Sequence, residues 1–222
     1  MNSRPKTASQ LRIAAIYQEI RYRICTNRYP PDTILREEVL AKEYSVSRSP
    51  IRRVLPVLEH EGLVKVKHGI GTIVTRIEPE QLSEVYAVRM LLAEAAGSFI
   101  ETPFPEEIHD FFKDCSRAIL NLEEGDSTGF AEINIRYCTS MINMINNITL
   151  REMLLNLFFQ TSRMWLLLLP SMPWKETMNG VNMEISEIIR RIELNDATGF
   201  GLAMRNHIFE GQQRLYEALA KQ

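Results

Sequence analysis

Apolar positions recur along the first third of the chain at helical spacing. Ile13, Ile16, Tyr17, Ile20 and Ile24 stand three or four residues apart and predict an amphipathic helix over about 9–27. Pro30 and Pro31 end it and bias Tyr29 to an extended backbone. Val39, Leu40 and Ala41 mark a short second helix over 37–43, and Tyr44-Ser45-Val46 turns the chain into a third. In that third helix Ile51, Val54, Leu55 and Leu58 form one buried stripe. Ser47 is placed to cap its free N–H groups, and Pro50 falls in the first turn, where no intrahelical donor is needed. Pro56 lies deeper, removes the bond to the Arg52 carbonyl, and predicts a bend that leaves the Arg48–Arg52 end undisturbed. After Gly62, a helix stop, residues 63–77 alternate β-branched and polar side chains about a Gly69–Gly71 turn and read as a β-hairpin.

The pattern then changes. Arg76-Ile77-Glu78-Pro79-Glu80 has no period and contains a proline, so a domain boundary is expected near residue 79. Beyond it every periodic segment is helical: to about residue 100, then 105–123, 128–146, 150–169, 178–194 and 196–220. The expected fold is mainly α. A winged helix–turn–helix over 1–78, with a small β-hairpin wing, precedes an all-α antiparallel bundle of about six helices over 79–222.

Composition narrows the class. Hydrophobic residues make up 45% of 222, enough for packed cores. No apolar run approaches the roughly 20 residues of a membrane span, and the N-terminus is polar, with no secretory core. Three scattered cysteines without CxxC spacing match a reducing compartment, so a cytoplasmic location is expected. Charge is divided unevenly. Residues 1–78 hold 14 Lys and Arg against 8 Asp and Glu, whereas residues 79–222 hold 12 against 20. Only the first part is suited to a polyanion.

Candidate chemistry follows that division. Arg48, Arg52 and Arg53, with Ser49 among them, lie off the apolar stripe near the start of the third helix. Such a helix suits a DNA major groove, because arginine reads guanine edges with two parallel bonds and the first residues of a recognition helix reach the bases. A solvated amphipathic helix is the plain alternative. Lys65, Lys67 and His68, on or near the hairpin tip, suit a minor groove or the phosphate backbone.

The segment LAKEYSVSRSPIRRVLPVLEHEGLV, followed by HGIG, resembles the N-terminal domain of the GntR family of bacterial transcription regulators. The resemblance implies DNA contacts at Ser47, Arg48, Ser49, Arg52, His68 and Gly69, beside which Arg53 and Lys67 add positive charge. Some members add an arginine in the second helix; the matching position is Glu38, and Arg36 is the nearby substitute. Ser45 stands where glycine is usual. The second part resembles the FCD domain of the FadR-type branch through VYAVRMLLAEAA, Asn147 with Leu150, and IIRRIELNDATGFGLAMRNH. Many FCD domains hold a divalent metal with one Asp and three His. Those positions fall on Asn134, Cys138, Ile185 and His207, so the family metal site is degenerate and neither metal nor other cofactor is expected. A pocket lined by Arg89, Asn134, Cys138 and His207 remains the expected effector site. Arg89 could meet an effector carboxylate, pair with an internal glutamate, or lie at the surface. His207 could equally be a satisfied core histidine, and the aromatic and Met-rich run 158–174 reads as core or as an apolar pocket wall.

The resemblance implies a homodimeric regulator that binds double-stranded DNA at a palindromic operator and senses a small metabolite. No GxSxG, HExxH or P-loop pattern occurs, and carboxylate pairs such as Glu106-Glu107 splay apart on a helix. An enzyme is therefore not expected. A non-specific, architectural DNA binder with a purely dimerising bundle is the rival reading.

Overall fold

The computed structural model describes residues 7–76 and 79–221. The polar start of the chain and the linker residues Ile77 and Glu78, singled out above, lie outside the described residues. The chain divides into two compact units, residues 1–76 and 77–222.

In the first unit α1 (Ala8–Cys25) starts at a capping box made by Thr7 and Gln10. It is followed by α2 (Glu37–Glu43) and α3 (Arg48–His60). Ile16, Ile20 and Ile24 of α1, Leu40 of α2, and Ile51, Val54, Leu55 and Leu58 of α3 close into one buried cluster. The predicted stripes are thus the faces that meet. The hairpin forms from β2 (Val64–Lys67) and β3 (Gly71–Val74), with Val64 opposite Val74 and Lys67 opposite Gly71. A third strand, β1 (Ile34–Leu35), was not expected from the sequence; it pairs with β3, so the sheet order is β1-β3-β2.

Three local features depart from expectation or explain it. Ser47 occupies the N-cap position of α3, but its side chain makes no capping bond, contrary to the expected cap. α3 runs on through Pro56 to His60, with the proline on the exposed side of the helix. Ser45 takes a left-handed backbone, φ 51°, at the end of α2. There the Ser45 N–H donates to Lys42 O and the Val46 N–H to Ala41 O, the pair of bonds that closes a helix C-terminus. Gly62 does the same for α3, with Leu63 N–H donating to Leu58 O at 3.0 Å. The turn of the helix–turn–helix therefore needs a left-handed residue at position 45.

The second unit contains α4 (Pro79–Ala96), α5 (Glu106–Leu120), α6 (Ser127–Asn143), α7 (Ile148–Leu168), α8 (Trp174–Glu193) and α9 (Ala197–Leu219). α8 begins four residues before the expected start, because Pro173 sits at the N-cap and Trp174 already belongs to the helix. Asp126, Asn147 and Asp196 cap α6, α7 and α9 through their side-chain oxygens. α4 packs on α7 and α9, α5 on α8, α6 on α7, and α8 on α9. At Gly201 an added Cβ would come within 2.7 Å of the Gly97 backbone nitrogen, so α9 meets the end of α4 backbone to backbone.

Left-handed backbone costs a residue with a Cβ about 1–2 kcal/mol. Ser45→Gly is therefore expected to stabilise the winged unit by about 1 kcal/mol. The check is a shift of the urea midpoint to higher concentration at unchanged slope.

Candidate nucleic-acid interface and bundle cavity

The polar face of α3 is exposed at Ser47, Arg48, Ser49, Arg52 and Arg53. Two of its arginines are paired with the first turn of α2. Arg48 Nη2 lies 2.8 Å from Glu38 Oε1, and Arg52 Nε donates to Glu37 Oε2 at 2.7 Å. Glu37 and Glu38 sit at a helix N-terminus, where the backbone favours negative charge. Both pairs are exposed, and such pairs contribute only about 0.2–1 kcal/mol, so a duplex can displace them. Arg36 is exposed at the N-cap of α2, close in sequence to both carboxylates.

Lys67, His68 and Gly69 lie at the exposed end of the hairpin. Gly69 has φ +76°, and a Cβ built there would touch nothing, so the tip is open while its backbone favours glycine. The base of the wing is fixed. β2 is held to the C-terminal part of α3 by Val66 N–H donating to Glu59 Oε1 at 2.7 Å, and β3 is flanked by β1. The structure thus brings Arg48 and Arg52 together with α2 and places Lys67–Gly69 on a separate, firmly rooted projection.

In the bundle, Arg89, Asn134, Cys138 and His207 line one small cavity of about 20 Å³. A second lobe of about 10 Å³ shares Arg89, Cys138 and His207 and is closed by Met141, Leu154 and Met204. A water needs about 10–15 Å³ on this scale, so anything larger than a few atoms displaces side chains. Two roomier hollows, of about 130 and 330 Å³, lie elsewhere on the bundle. The first sets Glu176 and Glu217 against Arg214 and Lys221. The second has Glu101 as its only charged lining residue. Neither gathers an unmatched cation.

Arg89 is 6% exposed. Its Nη1 donates to Thr161 Oγ1 at 2.7 Å, and its guanidinium lies 5.0 Å from the Tyr86 ring centre and 5.6 Å from that of Phe158. Its Nε has no partner, and no carboxylate pairs with it among the described residues. Neither plain alternative for Arg89, an internal glutamate or the surface, is what the structure contains. The run 158–174 supplies Phe158, Thr161, Ser162 and Trp165 to the same wall.

His207 is held on both sides. Its Nδ1 lies 2.5 Å from Glu184 Oε2, while Glu184 Oε1 accepts from Arg214 Nη2. A carboxylate at Nδ1 keeps a proton on that nitrogen and turns Nε2 toward Cys138 Sγ, 3.5 Å away. The thiol is also 3.4 Å from Asn134 Oδ1. The Tyr137 ring meets the imidazole edge-on, at 5.1 Å between centres. Burial alone pushes the imidazole toward the neutral form, but Cys138 and Glu184 outweigh it and raise its pKa to about 9.

These donors do not fit the divalent metal of the FCD resemblance. Asn134 is neutral and Ile185 has no donor, which leaves one imidazole nitrogen and one thiol where four ligands are needed. Among the described residues no group of three or more His, Cys, Asp or Glu side chains is gathered to hold an ion. Sequence reasoning missed Glu184, Thr161 and Arg214. For Glu184 a signal was present: it stands three residues after Val181 and four before Ile188, both buried, so its spacing puts it on the inward stripe of α8.

Among the described residues, no helix is long and apolar enough to cross a membrane. The pattern of bacterial regulatory proteins of the gntR family matches residues 12–74, and that of the FCD domain matches residues 84–210. An uncharacterized HTH-type transcriptional regulator of Agrobacterium vitis, in the TAR-I ttuE-ttuC' intergenic region, is 30% identical over 135 residues, covering 59% of this chain and 79% of the relative. The gluconate operon transcriptional repressor of Bacillus subtilis (strain 168) is also 30% identical, over 58% of this chain; the chain spans about half of that repressor's length, 52%. Two solved structures share the fold. E. coli McbR/YncC has a TM-score of 0.78 at 17% identity, over 93% of this chain and 97% of that one. A putative GntR regulator from Rhodococcus sp. RHA1 has a TM-score of 0.71 at 15% identity, over 94% and 99%. With a winged helix–turn–helix followed by an FCD bundle, the chain belongs to the GntR family of bacterial transcription regulators.

Proposed function

We propose that this protein works as a homodimer on a palindromic operator and responds to a small carboxylate held in the bundle cavity. The observation that carries the reading is Arg89. A buried guanidinium with a free Nε and no carboxylate among the described residues calls for an anion from outside the chain. One relative is named as the repressor of a gluconate operon, and gluconate is a small carboxylate. The residues around Arg89 add an amide, a thiol and an imidazole, which orient a polar ligand in an otherwise aromatic wall.

The DNA contacts are assigned to Arg36, Ser47, Arg48, Ser49, Arg52 and Arg53 of the helix–turn–helix and to Lys67, His68 and Gly69 of the wing. One helix and one wing bury too little surface for tight selective binding, whereas two copies on two half-sites gain through effective concentration. The bundle has apolar surface available for pairing. α4 leaves Val88 and Leu91 exposed, and α9, packed on α4, leaves Leu202 and Phe209 exposed. Ligand binding then shifts a dimer between two arrangements of unequal DNA affinity. A regulator of this kind works where the chromosome is, so a cytoplasmic location belongs to the proposal.

Three measurements bear on this reading. Selection from random duplexes at fixed salt is expected to enrich one palindrome, and Arg48→Ala or Arg52→Ala to relax the enrichment at single base pairs at a cost of about 1–3 kcal/mol each. A pool with no enriched sequence leaves the architectural reading in its place. Glu38→Gln, which removes the carboxylate facing Arg48, is expected to tighten binding to arbitrary duplexes about two- to fivefold. Unchanged affinity in a titration would mean that the pair plays no part in DNA binding. Finally, a panel of small carboxylates is expected to raise the bundle's melting temperature in the parent protein and to lose that effect in Arg89→Met.

A further inference from the structure

We propose that Cys138, His207 and Glu184 form an activated thiol beside the Arg89 guanidinium, a site that captures a small α,β-unsaturated carboxylate as a thioether. The inference rests on the cavity being the effector site and adds the chemical class of the ligand.

The three cysteines of the chain are all buried, yet their surroundings differ. Cys115 is an inert case, its thiol pushed up to about 11 mainly by burial. Cys138 instead faces an imidazole nitrogen at 3.5 Å, and that imidazole is oriented by a carboxylate at 2.5 Å on its other nitrogen. Nucleophile, base and orienting acid stand in the order that activates a cysteine. Arg214 holds the far oxygen of Glu184, so the carboxylate is itself fixed in place.

A satisfied polar core would need only part of this. Arg214 alone would neutralise Glu184, and an apolar residue at position 138 would pack as well as a thiol. The independent observation is Arg89, which lines both lobes of the cavity together with Cys138 and His207 and keeps one buried nitrogen unpartnered. A cation and a nucleophile bordering the same small cavity select a ligand that carries an anion and an electrophilic carbon a few bonds apart. An enoate has that arrangement.

The step balances without an oxidant or a reductant. The proton between Cys138 Sγ and His207 Nε2 is held on the imidazole during the addition. The sulfur pair attacks the β carbon, the S–C bond forms, and the carbon–carbon π pair moves to the α carbon. The proton then returns from His207 to that α carbon. Arg89 faces the carboxylate and draws off the charge that develops next to it. With a cavity of tens of cubic ångströms the ligand has to be short.

Acrylate and acrylamide separate this site from an ordinary thiol. They are nearly the same size, and a thiolate in water adds to neutral acrylamide faster than to the acrylate anion. Peptide mass spectrometry of the full-length protein, incubated with each reagent, reads the rate at every cysteine. Cys25 and Cys115, equally buried, serve as internal controls. At Cys138 the order is expected to reverse, with acrylate adding about tenfold faster than at either control. Arg89→Met is expected to restore the ordinary order while acrylamide addition continues, and denaturing the parent protein is expected to do the same. Acrylamide preferred at Cys138, or Cys138 no faster than Cys25, would overturn the proposal. In that event, carboxylates that still raise the melting temperature of Cys138→Ser protein would leave the non-covalent effector site standing. If no carboxylate shifts it, the effector reading fails separately.

Discussion

A carboxylate buried in a helical bundle has to be paired, and Glu184 is paired twice. One oxygen takes the imidazole of His207 and the other the guanidinium of Arg214. Stripped of its partners, such a group is an uncompensated charge withdrawn from water, at a cost of about 3–5 kcal/mol. Glu184 lies on α8 and both partners lie on α9, so this contact fixes how the two helices sit along one another. It also fixes the imidazole ring, and through the ring the nitrogen that faces Cys138. Arg89, by contrast, leans on Thr161 and two aromatic rings and has no carboxylate of its own among the described residues. One charge in the bundle is over-determined and another is left short. The difference between them is what gives the cavity its chemistry.

The winged unit follows a different rule. Its core is a plain meeting of apolar stripes, and the proposed base contacts lie on the solvent side of α3. There the arginines that would read bases rest on carboxylates of the preceding helix. Where the family resemblance implies an arginine in some members, this chain has Glu38, so a residue that would add attraction for phosphate subtracts it instead. On the proposed contacts, a duplex has to displace these carboxylates before either arginine can reach it.

Much of this was legible in the sequence. The stripes of α1 and α3, the alternating hairpin and the helical remainder follow from periodicity, which reports burial directly. β1 was not legible: two residues are too few to show alternation, and their partner strand begins more than thirty positions later. Ser47 looked like a cap by type and position, but a hydroxyl exposed to solvent need not turn inward. Asn134, Cys138 and His207 follow from a family resemblance, whereas Glu184 carries only its inward spacing on α8 and belongs to no motif. Its link to His207 spans 23 residues and two helices, a distance at which spacing carries no information.

The carboxylates beside Arg48 and Arg52 have a consequence for ionic strength. A cation that meets a phosphate ordinarily releases a condensed counterion, which lowers affinity by about 0.9 decades per decade of added salt for each contact. Here each arginine arrives already neutralised. To reach the duplex it must leave its glutamate, and the freed glutamate takes up a cation from solution. Release and uptake partly cancel. Residues 1–78 carry 14 basic against 8 acidic side chains, and on the proposed contacts their hold on DNA is expected to weaken with salt less steeply than the arginines alone would dictate.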